Sequence, residues 1–478
     1  MTLARRVVAP IIVLCVIVLP AAIRVEPVDA RPALAERARQ MWVARTDGPA
    51  LPVGIVVADG GATTVVAGTT VGATSKNDLQ VVAYDTTRGN VLWRARFDGE
   101  AHRNDRAIGI VAPPDGSRVF VAGTTVGPAR SDYVTIAYDA ASGHVLWTRT
   151  LDGSTHGKDT ASGIGISPDG SAVFVTGTTL DLQRMSEVFM TVSYATATGA
   201  WRWENAYRGP DYPSGISSEE TSALAVAPGG DLVYVAGSGY VPPQGSDSGR
   251  AFDIVAYRGS DGAQMWASRP VGWPCSYPAP TAVAASPDGS TVAVTGWEDE
   301  GCNESFRGYA TAVVSAADGT PLWNHVDTGD YWARTSGATA IAYSPDGAQV
   351  IQTGNLTSPH YGTVSYAADG GTARWTERFD GSRGPDLALG TTVSPDARLA
   401  IVTGGSCCGP GKWDFMTLAY RMSDGSLAWR ARYDGPSHLA DWAVALATSG
   451  DGRTLYVTGV SFASDGAGDL LTIAYRIG

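Results

Sequence analysis

Tryptophan returns at near-constant intervals along this chain, at Trp42, Trp93, Trp147, Trp203, Trp266, Trp323, Trp375 and Trp429, 51 to 63 residues apart. Glycine keeps the same interval at Gly68, Gly123, Gly177, Gly237, Gly296, Gly354, Gly404 and Gly459. Two markers of eight members each define eight repeats. A repeat of this length is one supersecondary unit that cannot bury its apolar face without neighbours. A residue present in every unit is therefore read as structural. One present in a few units is a better candidate for function.

Within a unit the apolar runs are four to seven residues long, rich in Val, Ile, Tyr and Phe, and bounded by turn residues, as in Ala107-Ile108-Gly109-Ile110-Val111 and Val119-Phe120-Val121-Ala122. This pattern predicts strands. Four strands in each of eight units predict an all-β, eight-bladed β-propeller with four-stranded antiparallel blades. Pro168-Asp169-Gly170, Pro287-Asp288-Gly289 and Pro345-Asp346-Gly347 join first to second strands. Proline presets φ, aspartate bonds nearby backbone and glycine accepts positive φ. Ser142-Gly143 and Asp318-Gly319 make equally short third-to-fourth connections. The other two connections are long and variable. In an antiparallel blade, alternate connections lie on one rim, so all the variable loops share a face. Variable loops on a rigid scaffold are where binding resides.

The final unit stops at its third strand, Leu471-Thr472-Ile473-Ala474-Tyr475, while Met41-Trp42-Val43-Ala44-Arg45 is a fourth strand with no preceding three. Pairing these N- and C-terminal strands closes the ring and removes exposed edges. The recurring tryptophan is read as packing between adjacent blades.

Arg5-Arg6 precede an apolar run from Val7 to Ile23, and Val28-Asp29-Ala30 resembles a cleavage site. The expected organisation is a signal peptide at 1–30, a short leader at 31–40 and the propeller at 41–478. An uncleaved anchor is the alternative. The expected location is secreted or cell envelope, with no membrane span after signal removal. A net charge of -12 argues against nucleic acid or an anionic membrane surface as partner.

Four cysteines remain beyond the leader: Cys275, Cys302, Cys407 and Cys408. An even count suits an oxidising compartment. Cys275 and Cys302 fall in the two variable loops of one unit, which makes a bridge easy; two free thiols are the alternative. Adjacent Cys407 and Cys408 join only through a strained ring, and strain collects at sites. The expectation is a Cys275–Cys302 bridge and a vicinal Cys407–Cys408 one, with two separate thiols or longer bridges as the alternatives. The spacing does not suit zinc.

Asp105, Asp159, Glu220, Asp386 and Asp441 stand just before the first strand of five units. They are read either as a partial acidic ring at the channel mouth, attracting a cation or cationic ligand, or as caps bonding their own loops. Asp78, Asp132, Asp414 and Asp469 precede third strands and are read as loop caps. His102, His156, His360 and His438 come from different units, and no spacing supports a histidine metal cluster or a hydrolase triad. Trp297, Trp332, Trp413 and Trp442, with Trp273, Tyr277 and Tyr331, are extra to the periodic set. They either stack on a flat ligand or fill the wide mouth of the ring.

Tyr84-Asp85-Thr86-Thr87-Arg88-Gly89-Asn90-Val91-Leu92-Trp93 and Ala137-Tyr138-Asp139-Ala140-Ala141-Ser142-Gly143-His144-Val145-Leu146-Trp147 resemble the tryptophan-docking repeat of the quinoprotein alcohol dehydrogenase-like propellers. The resemblance covers residues 41 to 478 and is nearer to secreted bacterial repeat-propeller proteins than to the enzymes. It implies eight blades and closure by both termini. The superfamily's enzymes bind pyrroloquinoline quinone (PQQ) and calcium, and some stack a vicinal disulfide on the quinone. Cys407-Cys408 resembles that element in chemistry but falls in the seventh unit. No calcium ligand or catalytic aspartate carries over by motif. The leading expectation is therefore an exported noncatalytic binding or scaffolding propeller without cofactor. Its variable-loop face would recognise an envelope or extracellular protein or a glycan. The alternative is a PQQ- and calcium-dependent oxidoreductase acting on alcohols or sugars.

Overall fold

The computed structural model describes residues 38–477 apart from short segments at 73–75, 129, 154–155, 183–185, 210–219, 245–246, 273–277, 300–306, 328–336, 358–359, 382–383, 410–411, 464–465 and 467. The signal peptide expected at 1–30 and most of the leader expected at 31–40 lie outside these residues. Six sheets hold four antiparallel strands each, and a seventh holds seven. The seven-stranded sheet is two blades sharing one long strand, Arg39–Ala58. The chain is an eight-bladed β-propeller.

The shared strand makes the closure. Its first half pairs with Gly468–Arg476, placing Trp42 opposite Ala474 and Arg45 opposite Leu471. Its second half pairs with Thr63–Thr70 as the first strand of the first blade. The fourth strand of the last blade thus continues without interruption into the next blade. Arg45 fastens the seam, donating to Asp469 Oδ2 at 3.0 Å and to Ser461 Oγ at 2.7 Å.

First strands line the axis. Ile55, Ile110, Ile164, Leu224 and Leu446, from five blades, surround a channel segment of about 350 Å³. Fourth strands form the outer rim, where Val91, Leu92, Val145 and Leu146 are exposed. Apolar side chains of the middle strands pack between blades, Val65, Val81, Val121 and Val134 among them.

Both periodic residues have a tertiary reason. Seven of the tryptophans, Trp42 to Trp375, donate the indole N–H to a backbone carbonyl of the next blade at 2.9–3.1 Å. Trp93, for example, bonds the Ala140 carbonyl and lies flat on Gly143. A Cβ on Gly143 would stand 2.5 Å from the Trp93 ring, and its φ is +72°, so glycine is required twice over. The other glycine answers a bulge. Every first strand slips register near its start, as between Ala388 and Gly390. The slip presses the Leu387 carbonyl to within 1.9 Å of where a Cβ of Gly404 would sit.

Candidate functional site

The variable-loop rim is built from two segments per junction: the turn after a fourth strand and the end of the second strand of the next blade. The carboxylates before the first strands tie these together. Asp105 accepts from the Gly99 N–H at 2.6 Å, from Thr125 Oγ1 at 2.6 Å and from the Val126 N–H at 3.3 Å. Asp159, Asp386 and Asp441 accept from the Gly153, Gly381 and Gly435 N–H groups at 2.7, 2.8 and 2.6 Å. All four carboxylates are buried. They cap their loops. Burial raises the carboxyl pKa of Asp159, Asp386 and Asp441, and the glycine N–H bonds oppose it. The side chain of Glu220 lies outside the described residues.

A local motif escaped the sequence reading. Asp98-Gly99-x-x-His102, Asp152-Gly153-x-x-His156 and Asp434-Gly435-x-x-His438 repeat, each followed three residues later by the capping aspartate. Each histidine sits at positive φ and bonds the aspartate four residues back, at 2.8, 2.7 and 2.9 Å. The Asp98–His102 contact raises the His102 pKa. The signal was present in the spacing; comparison of whole units masked it.

The two sets of aspartates, separate in the sequence reading, meet across blade junctions. Asp78, Asp98 and Asp105 bring one carboxylate oxygen each within 4.8 Å of the others, as do Asp132, Asp152 and Asp159, and Asp414, Asp434 and Asp441. His360 replaces the first acid in the set with Asp380 and Asp386. The third-strand aspartates are more than loop caps: Asp78 pairs with Arg96, Asp414 with Arg432 and Asp469 with Arg45.

The extra aromatics divide. Trp413 and Trp442 are both half-buried and converge from the seventh and eighth blades. A Cβ on Gly405 would stand 2.8 Å from the Trp413 ring and 2.9 Å from Trp442 Cβ, so this glycine lets them close up. The Trp442 ring lies 5.3 Å from that of Phe462, and Trp413 is paired in register with buried Cys407. Trp297 stands apart, opposite Tyr309 in the fifth blade. Trp332, Cys275 and Cys302 lie outside the described residues, as do Trp273, Tyr277, Tyr331 and the side chain of Cys408.

Blade number, closure and docked indoles define a tryptophan-docking β-propeller. Residues 33–246, slightly under half of the chain, match the family described as outer membrane protein assembly factor BamB. No curated protein matches the chain. Among solved structures, quinohemoprotein alcohol dehydrogenase from Comamonas testosteroni superposes with a TM-score of 0.58 at 13% identity, covering 93% of this chain and 77% of that one. The quinohemoprotein alcohol dehydrogenase from Pseudomonas putida HK5 gives 0.57 at 14%, covering 92% and 76%. Sqt1 from Chaetomium thermophilum, bound to the N-terminus of ribosomal protein L10, gives 0.57 at 13%, covering 91% and 100%. At such identities the likeness establishes fold. The resemblance to the PQQ-repeat propellers stands, and the fold itself is shared with two alcohol dehydrogenases and with a propeller solved holding a protein N-terminus.

Proposed function

We propose that this chain is an exported, noncatalytic binding propeller that recognises an envelope or extracellular protein through the variable-loop rim. The observation that carries this reading is the Trp413–Trp442–Phe462 cluster. Half-buried aromatics supply large contact area at small entropic cost and dominate binding energies at interfaces. These three come from three strands on two blades, fixed by the scaffold. The family matched by residues 33–246 is named for outer-membrane protein assembly, and the solved Sqt1 complex holds a protein N-terminus; both favour a protein partner over a glycan. The apolar leader at Val7 to Ile23 supports export.

The quinone-dependent reading rests on the two alcohol dehydrogenases of similar fold. The acids nominated to serve a channel-mouth quinone lend that reading no added support. Asp105, Asp159, Asp386 and Asp441 are buried, each with an oxygen committed to a loop amide. The described channel wall carries Ile55, Ile110, Ile164, Leu224 and Leu446 together with Ser162 and Ser222, and no charged side chain.

Site-specific photo-crosslinking in the native host tests the binding reading. A crosslinker replacing Trp442 should trap a discrete partner, and Trp413→Ala should lower its capture at least about tenfold, as for loss of an aromatic anchor. Crosslinks formed only from the short-turn rim at Asp169 or Asp346 would overturn it. Calorimetric titration with PQQ and calcium tests the other reading: micromolar quinone binding would replace the scaffold account.

A further inference from the structure

We infer that the junction of the second and third blades binds one hard divalent cation of the calcium class through Asp132, Asp152 and Asp159. The three offer carboxylate oxygens mutually within 4.8 Å. Oxygens sharing one calcium ion lie at most about 5 Å apart, twice the metal–oxygen distance. The site is therefore already at coordinating size.

Two independent observations mark it as incomplete. Asp159 is 0% exposed; Oδ2 holds the Gly153 N–H, while Oδ1 has only the Thr179 hydroxyl near it, without the well-formed bond that Thr125 makes to Asp105. A buried carboxylate oxygen held so weakly is costly. The second observation is an internal comparison. Aspartates stand near the start of the third strand in four blades, and in three of them an arginine three residues after the docked tryptophan neutralises the aspartate: Arg96 on Asp78, Arg432 on Asp414 and Arg45 on Asp469. In the second blade that position is Thr150, in the same register opposite Val134 as Arg96 is opposite Gln80. The fold thus supplies its own arginine at three of these sites and, among the described residues, gives Asp132 no such arginine.

Asp386 and Asp441 also carry an oxygen without a well-formed hydrogen bond. At Asp441, however, the cluster contains the Arg432–Asp414 pair, and at Asp386 it contains His360 in place of an acid. The crowding at the second junction shows in Asp132, whose carboxyl is pushed up to about 6 by burial and by Asp152 and Asp159. His156, bound to Asp152, is the basic group beside it. Asp152 is 47% exposed on its side chain, which leaves an entry for the ion. Oxygen donors alone favour calcium over zinc or copper. This site lies on the blade junction and is separate from any channel-mouth cofactor.

The test is calorimetric titration of CaCl2, without quinone, into the full chain, with thermal unfolding in CaCl2 and in EDTA. One ion per chain should bind with Kd on the order of 0.1–1 mM, the range of extracellular calcium modules, and raise Tm. Asp132→Asn should abolish the response. Thr150→Arg, which installs the arrangement of three other blades, should abolish binding and raise Tm in EDTA. Asp78→Asn should bind calcium as the parent does. No heat and no Tm change up to about 10 mM CaCl2, or unchanged binding by the Thr150→Arg protein, would overturn the inference.

Discussion

At the scale of single residues, Asp132 makes a pH-dependent prediction. Its carboxyl titrates near 6 in the folded chain against a usual value of 3.8, raised by burial and by Asp152 and Asp159, with His156 opposing. Ionising it costs more in the folded than in the unfolded state, so stability present below about pH 4 is lost as pH rises through about 6. In EDTA, Asp132→Asn should therefore unfold about 1–3 °C higher than the parent at pH 7.5, and the gap should close at pH 3.5. Melts from pH 3.5 to 8 check it; a gap independent of pH would show that the neighbouring carboxylates do not act on Asp132. The effect was not legible beforehand, because Asp132 and Asp159 lie 27 positions apart and are brought together by the rotation between blades.

At the scale of elements, an indole on a glycine holds seven of the eight blade junctions together. Trp93→Ala removes a buried ring, its bond to the Ala140 carbonyl and its contact with Gly143. The expected loss is about 3–5 kcal/mol in urea unfolding. Gly143→Ala should also destabilise, by about 1–3 kcal/mol, since the new methyl enters the ring and φ of +72° disfavours it. Leu92, 49% exposed beside the same indole, is the control: Leu92→Ser should change stability by less than about 0.5 kcal/mol. Equal losses at Leu92 and Trp93 would mean that docking is not what joins the blades. The tryptophan beat announced this packing in the sequence. The reason for the glycine beat emerged only with the bulge and its inward carbonyl.

At the scale of the molecule, the ring depends on one strand serving two blades. Residues 39–46 complete the last blade, and the same strand continues into the first. Deleting residues 39–46 exposes the Gly468–Arg476 edge and removes the Arg45 seam. Single-transition thermal unfolding should be lost, and the truncated chain should associate through the open edge; differential scanning calorimetry and sizing chromatography read both. A sharp, monomeric transition near the parent's would show that closure contributes little. Pairing residues more than 400 positions apart also carries a large loop-closure cost, so folding should be slow relative to domains of local contacts.

The sequence by itself determined the number of blades, the four strands in each, the short turns and the terminal pairing. These follow from local rules: strand residues between Pro-Asp-Gly turns, one docking tryptophan per unit, and chain ends that complement each other. The same rules placed Asp105, Asp159, Asp386 and Asp441 correctly before first strands and left cap and ring open. Only tertiary structure showed the capping bonds, because burial is a property of the loops that fold over a side chain. It also decided that Trp413 meets Trp442 while Trp297 stands apart, and that acids from a third strand, a fourth-strand turn and the next blade form one cluster. Those contacts depend on the angle between neighbouring blades, which a period of 51 to 63 residues does not encode.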